Sequence, residues 1–562
     1  MKKILYIVIA IVAACTFSSC SEELLEIPQK GVIAWDDFYN GTPESAEAAS
    51  IAVYQSVGQM YTTGVGFGAG VGWCIAPSMF VLTNAPSDDT YYGSGNKGDH
   101  VFGLEINEYR DSFSSTSDVI GQNYLICYQL IRNCNLVLEN FEEGDAKTNQ
   151  AIADAIFFRA LAHLHLAIYW GSPVLVETTL TGAERPENTP HAEILSWCIA
   201  QFDKAASMLP SKSGVNDKKL AVRPTKEAAL AFKGKAQIFA GDYAGAKTSL
   251  KAVISSGKYE LVPGEEMIDL FAMAGDGNKE KILDLNFVDF PGVSLTGKSH
   301  FQKNSSCYWR DLKAMPGFLI QPIGWGGGGN PSISFVEAIV ANEGDSYRRK
   351  AWIRSYEEII ADFEYDALPG STPEERLHSD KVGLSAASYF GNCGWFSLKF
   401  APRRADLTNN STINTQEDQT VMRYAEVLLM YAEACAQTGD NDGLQYLNMV
   451  ATRAGAPTYS SLTLDNVKKE KRFEMYLEGT RFADLVRWGD APSVLGEQGK
   501  YVPSFVDNFA TTGVHKAELV NDPVITNYNT VYGFKAGKNE LMPFPFSETQ
   551  KNENIKQNPG WN

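Results

Sequence analysis

The sequence predicts a mainly α-helical protein in which helical hairpins form a scaffold and large loop-rich insertions interrupt it. Three observations carry that expectation. Apolar residues recur at three- and four-residue spacing over long stretches of the chain. Two pairs of these stretches meet at a Gly-Asp turn and carry alanines on the apolar face, which lets paired helices pack closely. Between about Asn278 and Gln419 the periodicity fades, and a loop-rich segment with four tryptophans and a glycine run at 326–329 takes over.

Taken in order, the chain starts with Lys2 and Lys3, an apolar run over 4–14, and then Phe17-Ser18-Ser19-Cys20. This reads as a secretory signal ending at a cysteine behind two small residues. The run is shorter than the roughly 20 residues a spanning helix needs. Cleavage before Cys20 and acylation of its thiol would tether the folded body by lipid, outside the cytoplasm. Val12-Ala13-Ala14-Cys15 also fits the acylation pattern, but would leave an unusually short apolar region. Residues 43–60 have helical spacing through Ala46, Ala49, Val53 and Val57, and a Gly- and aromatic-rich stretch over 61–113 follows. Helical patterning returns in 122–141 and in 151–169, the second ending at Gly171 with Pro173 beyond it. Residues 194–209 are amphipathic and close at Pro210. Thr225 caps a helix through Ala236 and Phe239, Gly241-Asp242 turns the chain, and Ala246, Leu250 and Val253 mark a second helix ending at Gly257. The design recurs at 423–437, Gly439-Asp440 and 444–454. These pairs look like tetratricopeptide hairpins. Residues 151–169 with 194–209 would form a third, and 122–141 would enter a fourth. The glycine run is followed by Asn330-Pro331, not the Gly-Lys-Ser/Thr of a phosphate-binding loop, and reads as flexible loop. The tail from 543 to 561 reads as extended chain laid across the body.

Bulk composition narrows the function. Hydrophobic residues make up 44% of the 562, charged 21% and aromatic 11%, which supports a packed core and excludes disorder. A net charge of −18 argues against nucleic acid as partner, because that affinity depends on Lys and Arg meeting phosphates. Beyond Cys15 and Cys20 stand Cys74, Cys127, Cys134, Cys198, Cys307, Cys393 and Cys435, with no Cys-x-x-Cys. Cys127 and Cys134 are two helical turns apart, too far to bridge within one helix, and buried free thiols are the expected state. His163 and His165 are two apart on a helix and face different ways, so no metal or cofactor is expected.

Further motifs carry a resemblance. They begin at Cys20 with Leu25-Glu26-Ile27-Pro28 just beyond it. Phe158-Arg159-Ala160-Leu161-Ala162-His163-Leu164 is followed by Tyr169-Trp170-Gly171-Ser172-Pro173-Val174, and then by Pro224-Thr225-Lys226 and Gly241-Asp242-Tyr243. Next come Arg423-Tyr424-Ala425-Glu426-Val427-Leu428-Leu429-Met430-Tyr431-Ala432-Glu433-Ala434 and Glu478-Gly479-Thr480-Arg481-Phe482-Ala483-Asp484-Leu485-Val486-Arg487-Trp488-Gly489. Pro543 to Pro545 and Gln557-Asn558-Pro559-Gly560-Trp561 close the series. In this order they resemble the SusD/RagB nutrient-binding outer-membrane lipoproteins of Bacteroidetes. The resemblance implies a helical scaffold of tetratricopeptide type supporting a loop-rich face. It also implies a protein that is not an enzyme. Such proteins sit on a SusC-like TonB-dependent outer-membrane transporter, capture a glycan or peptide outside the cell, and act as a lid over the pore. Ser21-Glu22-Glu23 resembles the acidic signal that sends such lipoproteins to the cell surface, though two glutamates also suit an ordinary linker. The expected division is a signal peptide at 1–19, an N-terminal region with a ligand face at 20–225, a hairpin at 226–277, and a C-terminal domain with the Gly/Trp-rich insert at 278–562.

Sugar recognition needs aromatic faces against the pyranose C–H face, and polar side chains for its hydroxyls, both presented on loops. Two regions offer the combination. One carries Trp73, Asp88, Asp89, Tyr91 and Tyr92; the other carries Trp309, Trp325 and Trp395. Core packing is the alternative for each aromatic. Trp170, Trp488 and Trp561 belong to framework motifs and are expected to be buried. Asp88-Asp89 could bond sugar hydroxyls, cap a turn, or supply the carboxylate pair of a glycosidase. Arg423 with Glu426, and Glu478 with Arg481 and Asp484, read as charge ladders at three-residue steps that serve the fold. Four functions remain open: a glycan-binding lipoprotein, the same fold capturing peptides, and, less favoured, a glycoside hydrolase or a ligand-free assembly subunit.

Overall fold

A computed structural model describes residues 38–62, 64–65, 76–93, 96, 98, 101–287, 312–313, 319, 328–365, 383–401, 403–407, 416–520 and 532–561. Cys20 and the leader lie outside the described residues, as do Cys15, Cys74 and Cys307. The described chain is mainly helical. Its N-terminal half holds α1 (Pro43–Thr62), α2 (Ser78–Asn84), α3 (Val101–Asn107), α4 (Asp118–Asn140), α5 (Ala146–Trp170), α6 (His191–Met208), α7 (Lys226–Phe239) and α8 (Tyr243–Ser255). After these come α9 (Ile333–Glu343), α10 (Tyr347–Trp352), α11 (Tyr356–Tyr365), α12 (Tyr424–Thr438), α13 (Gly443–Ala454), α14 (Leu464–Glu474) and α15 (Arg481–Trp488).

The spine is α5. Asp145 caps its start by accepting from Lys147 N and Thr148 N, and Gly171 at φ +71° ends it. It is long and apolar enough to cross a membrane, yet it lies buried among α1, α4 and α6. A helix enclosed on all sides reads as apolar all round. From α5 the stack runs on through α6, α7 and α8, and α8 packs directly on α12, which packs on α13. The two hairpins that are far apart in sequence are therefore neighbours in space, and the segment between them is looped out. Thr225 Oγ1 accepts from Ala228 N at 3.0 Å, capping α7 as expected. Gly234 lets α7 meet α8 closely: a Cβ there would stand 2.6 Å from Leu250 Cδ2.

The strands are short. In chain order β1 (Gly64–Val65) pairs β2 (Ala76–Pro77), and β3 (Thr90–Tyr91) pairs β5 (Asn330–Pro331). The neck of the insert is β4 (Lys281–Leu285) antiparallel to β9 (Gln419–Arg423), so the chain leaves and re-enters the stack side by side. Within the insert β6 (Ile353–Ser355) pairs β8 (Trp395–Ser397). A three-stranded sheet of β7 (Tyr389–Phe390), β10 (Ser504–Asp507) and β11 (Ala517–Leu519) completes the list. Helices α9 to α11 were not anticipated from the sequence. Their signals are local and readable: Ser332 and Ser346 accept at their helix starts, and Gly344 closes α9 at φ +55°. The tail is extended as expected, with one short helix at Phe546–Lys551. Trp170 Nε1 donates to Pro543 O, and Asn558 Nδ2 donates to Trp170 O and Met542 O. Trp170 is buried, whereas Trp488 and Trp561 are half-buried.

The charge ladders are corrected. Glu478 precedes α15, so it shares no helix face with Arg481 and Asp484. It accepts from Arg423 and Lys399, Arg481 bonds Asp88, and Asp484 pairs with Lys471 and Arg487. Arg423 likewise precedes α12, and Glu426 bonds Lys235. These charges build a buried hub. Arg423 reaches Glu280 (2.8 Å), Glu474 (2.5 Å) and Glu478 (2.7 Å); Arg348 reaches Glu343, Glu470 and Glu474; Arg453 joins Glu280 to Glu474. Burial works against the Glu474 carboxylate, but Arg453, Arg423 and Arg348 together hold it well below the usual range. Burial brings Lys399 down to about 7 against the pull of Glu478. Cys127, Cys134, Cys198, Cys393 and Cys435 are buried free thiols.

Candidate ligand-binding site

Around Trp395 several stretches of chain meet in one node. Strand β3 pairs β5 with Tyr91 opposite Asn330. The Asn330 side chain then does what a third strand would. Its Nδ2 donates to Gly391 O (2.9 Å) and Gly93 O (3.3 Å), and its Oδ1 accepts from Asn392 Nδ2 (3.0 Å). Asn392 Oδ1 in turn accepts from Gly394 N (2.7 Å) and Trp395 N (3.2 Å). Gly391 N donates to Pro503 O. Gly391 sits at φ +71°, and a Cβ on it would meet Gly93 Cα at 2.5 Å, so two backbones touch where no side chain fits. Four separate stretches of chain thus converge on Asn330, Gly391 and Asn392.

Of the eight expected ligand contacts, Trp73, Trp309 and Trp325 lie outside the described residues. Trp73 stands three residues before β2, Trp309 three before Leu312, which bridges Leu384, and Trp325 five before Asn330. Trp395 is described, on β8 opposite Ser355. It is half-buried, the Arg349 guanidinium lies 5.7 Å from its ring centroid, and no described residue accepts from its indole N–H.

The other four are corrected: Asp88, Asp89, Tyr91 and Tyr92 do not stand on an exposed loop. All are buried. Arg481 grips Asp88 through Nε (2.8 Å) and Nη2 (3.1 Å), and Arg472 bonds Asp89 through Nε (2.7 Å) and Asp88 through Nη2 (2.9 Å). Burial pushes the Asp88 carboxyl up, but Arg481 and Arg472 outweigh it and keep it below its ordinary value. Burial, with Asp88 beside it, raises Asp89 despite Arg472. A pair already clamped by two guanidiniums is a clasp between the 84–93 segment and helices α14 and α15. Tyr91 donates its hydroxyl to Glu108. The Tyr92 ring fills room left by two glycines: a Cβ on Gly103 or on Gly328 would fall 1.9 Å or 2.7 Å from it. Gly328 is thus pinned against Tyr92, which corrects the flexible-loop reading for that end of the glycine run.

Asn330, Asn392 and Arg349 were missed. The signal existed in Gly329-Asn330-Pro331 and Gly391-Asn392-Cys393-Gly394, because asparagine between glycines is turn chemistry. Among the described residues no cluster of His, Cys, Asp or Glu is arranged to hold a metal. An internal cavity of about 150 Å³ lies between α5, α7 and α12, and its charges Lys235–Glu426 and Lys471–Asp484 already pair with each other.

A scaffold of stacked helical hairpins presenting a loop node is the architecture of one family. The sequence pattern of the SusD family matches residues 233–561, and a second pattern, described as starch-binding associating with outer membrane, matches 89–237. The chain belongs to the SusD family. It is similar to SusD-like protein P38 of Formosa agariphila, 23% identical over 88% of this chain and 93% of the relative. Among solved structures it resembles a laminarin-binding SusD-like protein (TM-score 0.71, 22% identity, 92% of this chain and 99% of that one). It also resembles surface glycan-binding protein A of Bacteroides thetaiotaomicron in complex with laminarihexaose (TM-score 0.67, 19% identity, 92% and 99%).

Proposed function

We propose that this chain is a cell-surface lipoprotein of the outer membrane, anchored by lipid at Cys20, that binds a glycan and passes it to a SusC-like TonB-dependent transporter. The observation that carries the reading is the node. Through Asn392 it fixes the start of β8 and holds Trp395 half-exposed, with the Arg349 guanidinium beside its ring. Stacking on tryptophan, with loop polar groups for hydroxyls, is the chemistry of sugar-ring recognition, and Arg349, tied to Gly344, Asp345 and Glu358, backs the ring. The named ligands of two structural relatives, laminarin and laminarihexaose, favour glycan over peptide. The partner transporter and the outward orientation come from the family resemblance, the lipid anchor from the leader. Trp73, Trp309 and Trp325 are proposed to act with Trp395.

The test is a glycan array followed by calorimetry on the hit. Trp395→Ala is expected to weaken binding at least tenfold, about 1.4 kcal/mol. A wild-type chain that binds no glycan on the array would sink the reading.

A further inference from the structure

Away from the node lies a groove with its own aromatic platform. It runs between the 259–265 segment and α13, has a volume of about 780 Å³, and is lined by Tyr347, Met449, Tyr424 and Glu265 among others. That size falls in the range of small-molecule sites. Tyr347 is 53% exposed and Met449 43% exposed. Scattered exposed apolar residues are ordinary, so exposure alone decides nothing.

What distinguishes Tyr347 is how it is held. Its ring edge lies between two glycines. A Cβ on Gly455 would stand 3.1 Å from Tyr347 Cδ2, and one on Gly264 would stand 2.5 Å from the same atom and 2.5 Å from Arg453 O. Gly455 ends α13 at φ +72°, so its backbone alone explains it. Gly264 has no such left-handed φ. Glycine is required there because backbone and ring approach so closely. One edge of the ring is therefore clamped while much of its surface faces solvent. Its hydroxyl bonds no described residue. An ordered aromatic has already lost the rotamer freedom that binding would otherwise cost.

The groove's other chemistry narrows the ligand. Glu265 is exposed and its carboxylate makes no hydrogen bond to a described residue, so it can accept from hydroxyls. Glu260 also lines the groove, and the chain's net charge is −18, which disfavours sulfated or acidic ligands. Asn448 is occupied, its amide bonding Tyr459 N and O. We propose that this groove is an auxiliary subsite in which a neutral sugar ring stacks on Tyr347 and its hydroxyls bond Glu265. The inference rests on the glycan reading and extends it, giving a long polysaccharide a second point of attachment. Helix α10 joins Tyr347 to β6, whose Ser355 is opposite Trp395. At ordinary helix and strand rises the two aromatics are at most about 25 Å apart along the backbone. A polymer chain that touches both would bind with an avidity exceeding either contact alone.

The experiment uses the full chain in detergent. Retardation is measured in native gels cast with laminarin or with soluble starch, and laminarihexaose is titrated in parallel. Tyr347→Ala is expected to weaken polysaccharide retention at least threefold. Met449→Glu, which exchanges an apolar contact at the groove mouth for a charge and leaves the platform in place, should do the same, while Tyr501→Ala, an exposed tyrosine outside the groove, serves as the control. Wild-type retention by both Tyr347→Ala and Met449→Glu, with Trp395→Ala weakened, overturns this inference and leaves the glycan reading standing. A wild-type chain that is retained by neither gel and binds no glycan on the array removes both.

Discussion

From α5 to α8 the helices meet through alanines, leucines and phenylalanines set three and four residues apart, whereas the insert is fastened through buried charges whose partners are 51 to 143 residues away. The stack is held by non-directional burial, which tolerates change so long as volume is kept. The insert hangs from a neck of two short strands and is locked by Arg348, Lys399 and Arg423 against Glu280, Glu470, Glu474 and Glu478. A buried ionic network adds little net stability over an apolar core, but losing one member is costly because the others stay desolvated. It specifies one geometry. A loop platform that aims aromatics at a ligand, as proposed, would need that specificity more than it needs free energy.

The contrast breaks first at Arg423. Arg423→Met would leave Glu280, Glu474 and Glu478 facing too few cations in a site with no water access. A loss of about 3–5 kcal/mol is expected. Thermal unfolding of Arg423→Met beside Arg423→Met/Glu280→Gln measures it, with the second change recovering part of the loss. A cost under about 1 kcal/mol would mean the hub behaves like surface ion pairs, and the distinction between the two regions would fail.

That hub also marks where the sequence stopped being legible. Hairpins were readable because their partners are local: Thr225 caps α7, Gly171 ends α5, and alanines recur along one face. Glu478 and Arg481 are also three apart, but periodicity cannot reveal that Glu478 turns to Arg423 and Arg481 to Asp88, 393 residues away. The same blindness put Asp88, Asp89, Tyr91 and Tyr92 on the ligand face. Composition shows aromatics and carboxylates among glycines. Only the fold shows that Gly103 and Gly328 are small to admit Tyr92, not to loosen a loop.

The neck carries a second, pH-dependent test. Burial first, then the neighbouring Asp418 carboxylate, push Asp276 up to about 8. Asp276 Oδ1 accepts from Asp418 N at 2.9 Å, a bond that an asparagine can keep. Between pH 4 and 8 the folded state holds a proton that the unfolded chain has released, so this group's contribution to stability falls as pH rises through that window. Asp276→Asn removes the ionisable proton. It should match the wild type near pH 4.5 and exceed it near pH 8 by on the order of 1 kcal/mol, after discounting for solvent screening. Melting curves at the two pH values check it, and parallel curves for the two proteins would show that Asp276 ionises freely.

The smallest effect is expected in the stack, at Gly234, and its sign carries the argument. On helix propensity alone Gly234→Ala would stabilise α7 by about 1 kcal/mol. The added methyl, however, would stand 2.6 Å from both Leu250 Cδ2 and Leu250 Cγ, in the seam between α7 and α8. Overpacking of a tight core costs about 1–3 kcal/mol. The obstacle is a branched but rotatable side chain, so part of that cost relaxes, and a net loss of about 1 kcal/mol or less is expected. Pairing the change with Leu250→Val, which withdraws Cδ2 but keeps a Cγ, should recover part of the propensity gain. If Gly234→Ala alone is stabilising, the α7–α8 seam yields freely and the stack is looser than its alanine-lined spacing implies. If it is destabilising and Leu250→Val rescues it, the hairpin is held by close approach, and the two regions differ in kind: contact distance in one, charge geometry in the other.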